Sequence, residues 1–161
     1  MKKQNGLTLL STIVLVLLIA FIVFGVIYFI RIQTQKEQLE DLKTDILLVQ
    51  AKVRKLSADY ILEKKEEVLV GTKISEMKEN ETIKEFLEKN SIDTEEKEKK
   101  YYVLNQDDLN NLELTKVKLE PNSYYIVEYT DGNVYYTKGV EHTDGNSYYD
   151  VNNIEELKLE Q

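Results

Sequence analysis

IVLVLLIAFIVFGVIYFI, residues Ile13 to Ile30, is an unbroken apolar run of 18 residues, preceded by the polar leader MKKQNG (1–6) and followed by the charged stretch RIQTQKEQLEDLK (31–43). At ~1.5 Å rise per residue the run covers ~27 Å, and with the uncharged residues back to Leu7 it covers ~36 Å, enough for a bilayer core of ~30 Å. A buried helix of a soluble domain is rarely this long without a charge. A cleaved secretory signal fits poorly too, because its apolar region spans roughly 7–15 residues and is followed by small residues in an A-x-A arrangement. We therefore read residues 7–30 as a retained transmembrane helix.

The flanks set its orientation. Lys2, Lys3 and the amino terminus stand in the leader without an acid, whereas Arg31 and Lys36 are mixed with Glu37, Glu40 and Asp41. The positive-inside rule then places the N-terminus in the cytoplasm and the remainder outside the plasma membrane. All 29 acids and 19 of the 21 bases follow Ile30, so that portion carries a net charge of −10. Such a surface has no general affinity for nucleic acid or anionic lipid. There is no cysteine, which removes disulfides and thiolate metal sites and leaves packing or assembly to stabilise the exported part.

Residues 31–70 contain neither Gly nor Pro and are rich in helix formers. Ile32, Leu39, Ile46, Val53 and Tyr60 share one heptad position, and Leu42, Val49 and Leu56 share the other. That 3.5-residue spacing predicts a narrow packing seam along an extracellular helix, made against a partner helix or a second copy. Additional apolar residues at Leu47, Leu48, Ile61 and Leu62 predict that part of the helix also seats on the chain's own C-terminal body. Gly71 and Thr72 read as a helix stop with a new N-cap. Residues 71–100 then read as a polar helix from about Lys73 to Lys89, with Ile74, Met77, Ile83, Phe86 and Leu87 on its apolar side, followed by the charged linker DTEEKEKK (93–100).

Residues 101–161 form a domain of a different kind, holding nine of the eleven tyrosines. The segment YYIVEY-TDGN-VYYTKG places Asp131-Gly132, a favoured hairpin pair, between candidate strands Tyr124–Tyr129 and Val134–Lys138. A second pair, Asp144-Gly145, precedes Ser147-Tyr148-Tyr149, so the repeat DGNVYY and DGNSYY predicts a meander of short strands. Asn105 is placed to cap a short helix after Tyr101–Leu104. In each Tyr pair one ring is expected in the core and the other over its rim. The fold class is thus α+β: a long N-terminal helix, a second short helix and a small antiparallel β meander.

Chemistry is sparse. Asp131, Asn133, Asp144, Asn146 and Asp150 offer hard oxygen ligands, but without the spacing of a calcium loop they are better read as turn residues. His142, the one histidine, reads as a surface residue, and no nucleophile–base pairing or phosphate loop stands out. We expect no catalytic residue, no cofactor and no metal.

The leader carries a resemblance. Lys2-Lys3-Gln4-Asn5-Gly6 followed by Leu7-Thr8-Leu9-Leu10 and the apolar helix resembles the signal of bacterial type IV prepilins and pseudopilins. The resemblance implies cleavage between Gly6 and Leu7 by a prepilin peptidase and N-methylation of Leu7. It also implies assembly with copies or relatives through the N-terminal helix, in a pilus, secretion or DNA-uptake filament at the cell surface. Ser11 departs from the pattern, since the family has a glutamate there. The alternative drawn from the heptads is a single-pass membrane scaffold with an extracellular coiled coil, of the kind used in cell division.

Overall fold

Helix α1 runs from Gln4 to Glu63, 60 residues, in the computed structural model, which describes residues 4–94 and 98–159, apart from the side chains of 4–10, 156, 158 and 159. The chain divides into two compact units, residues 1–38 and 39–161. The first is helical throughout its described length. The second holds the rest of α1 and every strand.

In the second unit, β1 (Thr72–Lys73), β2 (Tyr101–Leu104), β3 (Tyr125–Glu128) and β4 (Asn133–Tyr136) form an antiparallel sheet in the order β1-β2-β3-β4. Its register pairs Val103 with Thr72 and Ile126, and Ile126 with Tyr135. Two helices stand before and after β2: α2 (Glu81–Lys89) and α3 (Gln106–Asn111). A separate two-stranded hairpin, β5 (Val140–Glu141) with β6 (Ser147–Tyr148), leads into α4 (Val151–Leu159).

Strand periodicity explains how this sheet is covered on both sides. Successive side chains alternate between faces. Tyr102, Leu104, Tyr125, Val127, Val134 and Tyr136 enter one buried cluster with Leu39, Leu42, Ile46, Val49 and Val53 of α1. Val103, Ile126 and Tyr135 enter the other, with Ile74, Ile83 and Phe86 from the α2 side. Each Tyr pair is therefore split between two covered faces. The expectation of one core ring and one rim ring holds in three pairs, where Tyr102, Tyr125 and Tyr136 are buried and Tyr101, Tyr124 and Tyr135 are half-buried; it fails at Tyr148-Tyr149, where both are buried and Tyr149 packs against Phe86.

Several boundaries differ from the sequence reading, each for a local reason. The helix expected to reach Val70 stops at Glu63, because Lys64 turns to φ 55° while its N–H still bonds the Tyr60 carbonyl at 2.7 Å. Gly71 is not that stop. It has φ 104°, and a Cβ there would lie 2.7 Å from the Val103 carbonyl oxygen, so glycine is what lets β1 approach β2. The second helix begins at Glu81 rather than near Lys73, since Asn80 caps it by accepting from the Ile83 N–H at 3.2 Å, and residues 72–76 make β1 and a 3-10 turn instead. Within the charged linker, residues 95–97 lie outside the described residues.

The Asn105 cap and the two Asp-Gly turns were read correctly. Asn105 caps α3 by accepting from Asp107 and Asp108 N–H at 2.8 and 3.0 Å, and the Asp108 carboxylate accepts from the Asn105 N–H at 2.9 Å. Asp131-Gly132 turns β3 into β4, with Gly132 at φ 76°. Fully buried Glu128 stabilises this turn, its carboxylate accepting from Thr130 N–H at 2.5 Å and Asp131 N–H at 2.8 Å. Asp144-Gly145 likewise closes the β5–β6 hairpin, but as a separate ribbon rather than an extension of the main sheet.

Candidate functional site

The first unit presents one kind of surface. Every Ile, Val, Leu, Phe and Tyr from Ile13 to Ile30 is at least 49% exposed, and Phe21 reaches 78%. Gly25 has open space where a Cβ would stand. The apolar residues thus occupy all sides of the helix instead of a stripe, a pattern stable only when something apolar surrounds it. By length and composition this is a helix able to cross a membrane, and none of its most apolar stretch is buried by the chain itself.

Residues Gln4 to Gly6 begin the same helix. The Gly6–Leu7 peptide falls within α1, which begins at Gln4. A first turn has unpaired N–H groups and no acid to cap it here, so it opens at low cost. Lys2 and Lys3 lie outside the described residues. Ser11 is exposed, four residues and about one turn after Leu7.

In the second unit the predicted seam has an occupant. Leu39, Leu42, Ile46, Val49 and Val53 are at most 5% exposed, and Leu56 and Tyr60 pack beside them, all against the chain's own sheet and α3 side. This corrects the reading of a seam made for a partner helix. A sheet whose strands have four residues or fewer is too small to cover more than a narrow strip of helix, and a narrow strip produces the same spacing as a coiled coil. Ile32 falls in the first unit, outside this cluster.

Polar contacts lock the same face. Gln50 Nε2 donates to the Gly132 carbonyl at 2.9 Å, and Ser57 Oγ donates to the Tyr129 carbonyl at 2.6 Å. By contrast Leu47, Leu48, Ile61 and Leu62, expected to help seat the helix, are 43–81% exposed and point away from it. They are spare apolar surface on the outside of α1.

The loop after α1 is fastened by charge and by a phenol. The Glu66 carboxylate accepts from Lys100 at 2.6 Å and from Lys73 at 2.7 Å, and these hydrogen bonds hold its carboxyl down at about 2. Tyr129 OH donates to the Val70 carbonyl at 2.9 Å, and burial pushes that hydroxyl's pKa up. His142, expected on the surface, is buried with its ring edge against Tyr148 and its Nδ1 3.6 Å from Asp144 Oδ1. The oxygens of Asp144 are already used by Tyr148 OH and Asn146 N–H. Among the described residues no group of three or more His, Asp or Glu is placed to hold a metal.

Two features escaped the sequence reading. Helix α4 was missed although Asp150 precedes Val151, Ile154 and Leu157, and its carboxylate accepts from the Asn153 N–H at 2.9 Å as an N-cap does. The cover that α2 gives to the second sheet face was missed as well. Compared with protein-family models, curated proteins and solved structures, the chain gives no match.

Proposed function

We propose that the chain is a pilin-like subunit, of the minor or pseudopilin kind, in a type IV pilus, secretion or DNA-uptake filament. Its residues 7–30 hold it in the plasma membrane with the N-terminus in the cytoplasm and the C-terminal domain outside. A prepilin peptidase removes the leader between Gly6 and Leu7, and Leu7 becomes the methylated N-terminus. The helix from Leu7 then packs with copies or relatives of itself, and no catalytic step is assigned to the chain.

The observation that carries this reading is the division of labour along α1. Its 3.5-spaced stripe from Leu39 to Val53 is filled by the chain's own domain, whereas Ile13 to Ile30 is uncovered on every side. Assembly through the apolar part uses surface that is free. Ser11 then has a meaning, because a methylated amine buried without an acid partner costs several kcal/mol. A subunit lacking that acid suits a place in the assembly with no amine to neutralise, which favours a minor position.

A second reading keeps one supporting observation. Leu47, Leu48, Ile61 and Leu62 are exposed on α1 and would serve a single-pass scaffold as contacts for a partner. The two are separated by processing. Co-expressed with a prepilin peptidase, the protein should show by intact mass a mature N-terminus at Leu7 carrying one methyl group, and Gly6→Ala should abolish the cut. Retention of Met1 in the wild type, with the peptidase active on a control substrate, overturns the pilin reading.

A further inference from the structure

A cleft of about 460 Å³ opens beside the C-terminal end of α2, the β5–β6 hairpin and α4. Its polar lining comes from Lys89, Asn90, Asn146, Ser147, Tyr149 and Asn153, with no carboxylate among the described lining residues. Two acids stand directly behind this lining and orient it: Asp144 accepts from Tyr148 OH at 2.6 Å and Asn146 N–H at 2.8 Å, and Asp150 accepts from the backbone and side chain of Asn153, each at 2.9 Å.

One wall of the cleft is fixed. Tyr149 is 8% exposed, its ring stands edge-on to Phe86 at 5.3 Å between centroids, and its carbonyl accepts from the Tyr136 N–H at 2.9 Å. Gly139 lies so close that a Cβ there would come within 2.5 Å of the ring. At the hydroxyl end of this ring stands the Lys89 ammonium, donating to the Tyr149 hydroxyl at 2.7 Å. Lys43, Lys73 and Lys100 each meet a carboxylate. Among the described residues Lys89 meets a phenol instead, a neutral partner that holds the ammonium in place and leaves two of its three N–H donors for a ligand.

Amides and a hydroxyl around an aromatic wall suit the alternating donors and acceptors of a sugar ring, and a fixed ammonium suits a carboxylate. We propose that this cleft binds an acidic saccharide unit, a pyranose bearing a carboxylate, with the carboxylate on Lys89 and the ring hydroxyls on Asn90, Asn146, Ser147 and Asn153. The volume falls in the range of small-ligand sites, roughly 300–1,000 Å³. This assignment is independent of how α1 is processed or assembled.

The test uses the full chain in phosphatidylcholine nanodiscs, titrated by calorimetry with methyl glucuronide, methyl glucoside, acetate and inorganic phosphate. Methyl glucuronide should bind in the millimolar range or tighter and about tenfold better than each of the other three. Lys89→Gln should remove about that tenfold preference and leave methyl glucoside unchanged, with the melting temperature of the domain as the control for folding. Asn146→Ala, in an exposed turn, should weaken both sugars, and it carries the test if Lys89→Gln fails to fold. Equal affinity for the two sugars, acetate or phosphate binding as well as the glucuronide, unaltered binding in either variant, or no heat at ~50 mM glucuronide each overturns the proposal.

Discussion

Shortening Val49 to alanine tests whether the stripe on α1 is filled from within. Val49 is 0% exposed and belongs to the cluster that joins α1 to the sheet, while the preceding residue, Leu48, is 43% exposed. Removing two buried carbons costs ~0.8 kcal/mol each in transfer, and the cavity left between helix and sheet adds to it, for about 2–3 kcal/mol in all. For a domain of ~120 residues that corresponds to a fall in melting temperature of about 8–15 °C. Leu48→Ala removes more carbon from an exposed site and should cost under ~1 kcal/mol. Near-ultraviolet circular dichroism of the full chain in detergent follows the buried tyrosines through the transition. Equal effects of the two variants would refute the reasoning.

Three further outcomes follow from other parts of the molecule. Gly71→Ala should destabilise the domain by about 2–4 kcal/mol in chemical denaturation, because the backbone there has φ 104° and the new Cβ meets the Val103 carbonyl; an unchanged midpoint would contradict that geometry. Glu66 has its carboxyl lowered from 4.5 to about 2 by hydrogen bonds from Lys100 and Lys73, so its stabilisation is present above pH 4.5 and is lost as pH falls through about 2. Stability measured between those limits should fall less steeply in Glu66→Gln than in the wild type. In the apolar run, fifteen Ile, Val, Leu and Phe residues at ~0.3–0.6 kcal/mol each favour insertion by ~5–9 kcal/mol, and a central Asp opposes it by ~3. Ile19→Asp alone should therefore stay in the alkali-resistant membrane fraction, and the double change with Val23→Asp, which brings the balance to about zero, should lose roughly half of it; full retention of the double variant would contradict the reckoning.

How much of this was legible in the sequence depended on whether the signal was local. The span, the Asn105 cap and the Asp131-Gly132 turn rest on short-range physics, namely apolar length, a side chain reaching N–H groups three residues on, and a backbone needing positive φ. The stripe on α1 was read correctly as packing, but its partner was not, because the 3.5 spacing records only the width of what covers a helix. A second helix and a sheet of short strands leave the same trace. Lys64, which ends α1, carries no stop signal at all, since lysine is a good helix former and adopts φ 55° only where the next segment is tied back by Glu66 and Tyr129. The cleft beside Tyr149 was illegible for a related reason: Lys89, Asn146 and Asn153 come together only through α2, the β5–β6 hairpin and α4.

In the proposed assembly α1 meets other copies through its apolar part, while its distal stripe from Leu39 to Val53 is already covered by the chain's own domain. Since the chain has no cysteine, single-cysteine variants in native membranes read this directly: Phe21→Cys, Phe24→Cys and Ile27→Cys against Val49→Cys and Val53→Cys. A disulfide forms only where two Cα atoms come within ~7 Å, so oxidation reports which part of the helix meets another copy. The predicted result is covalent dimer at one or more of positions 21, 24 and 27 and none at 49 and 53. Efficient dimer at 49 and 53 with none in the apolar run would contradict it.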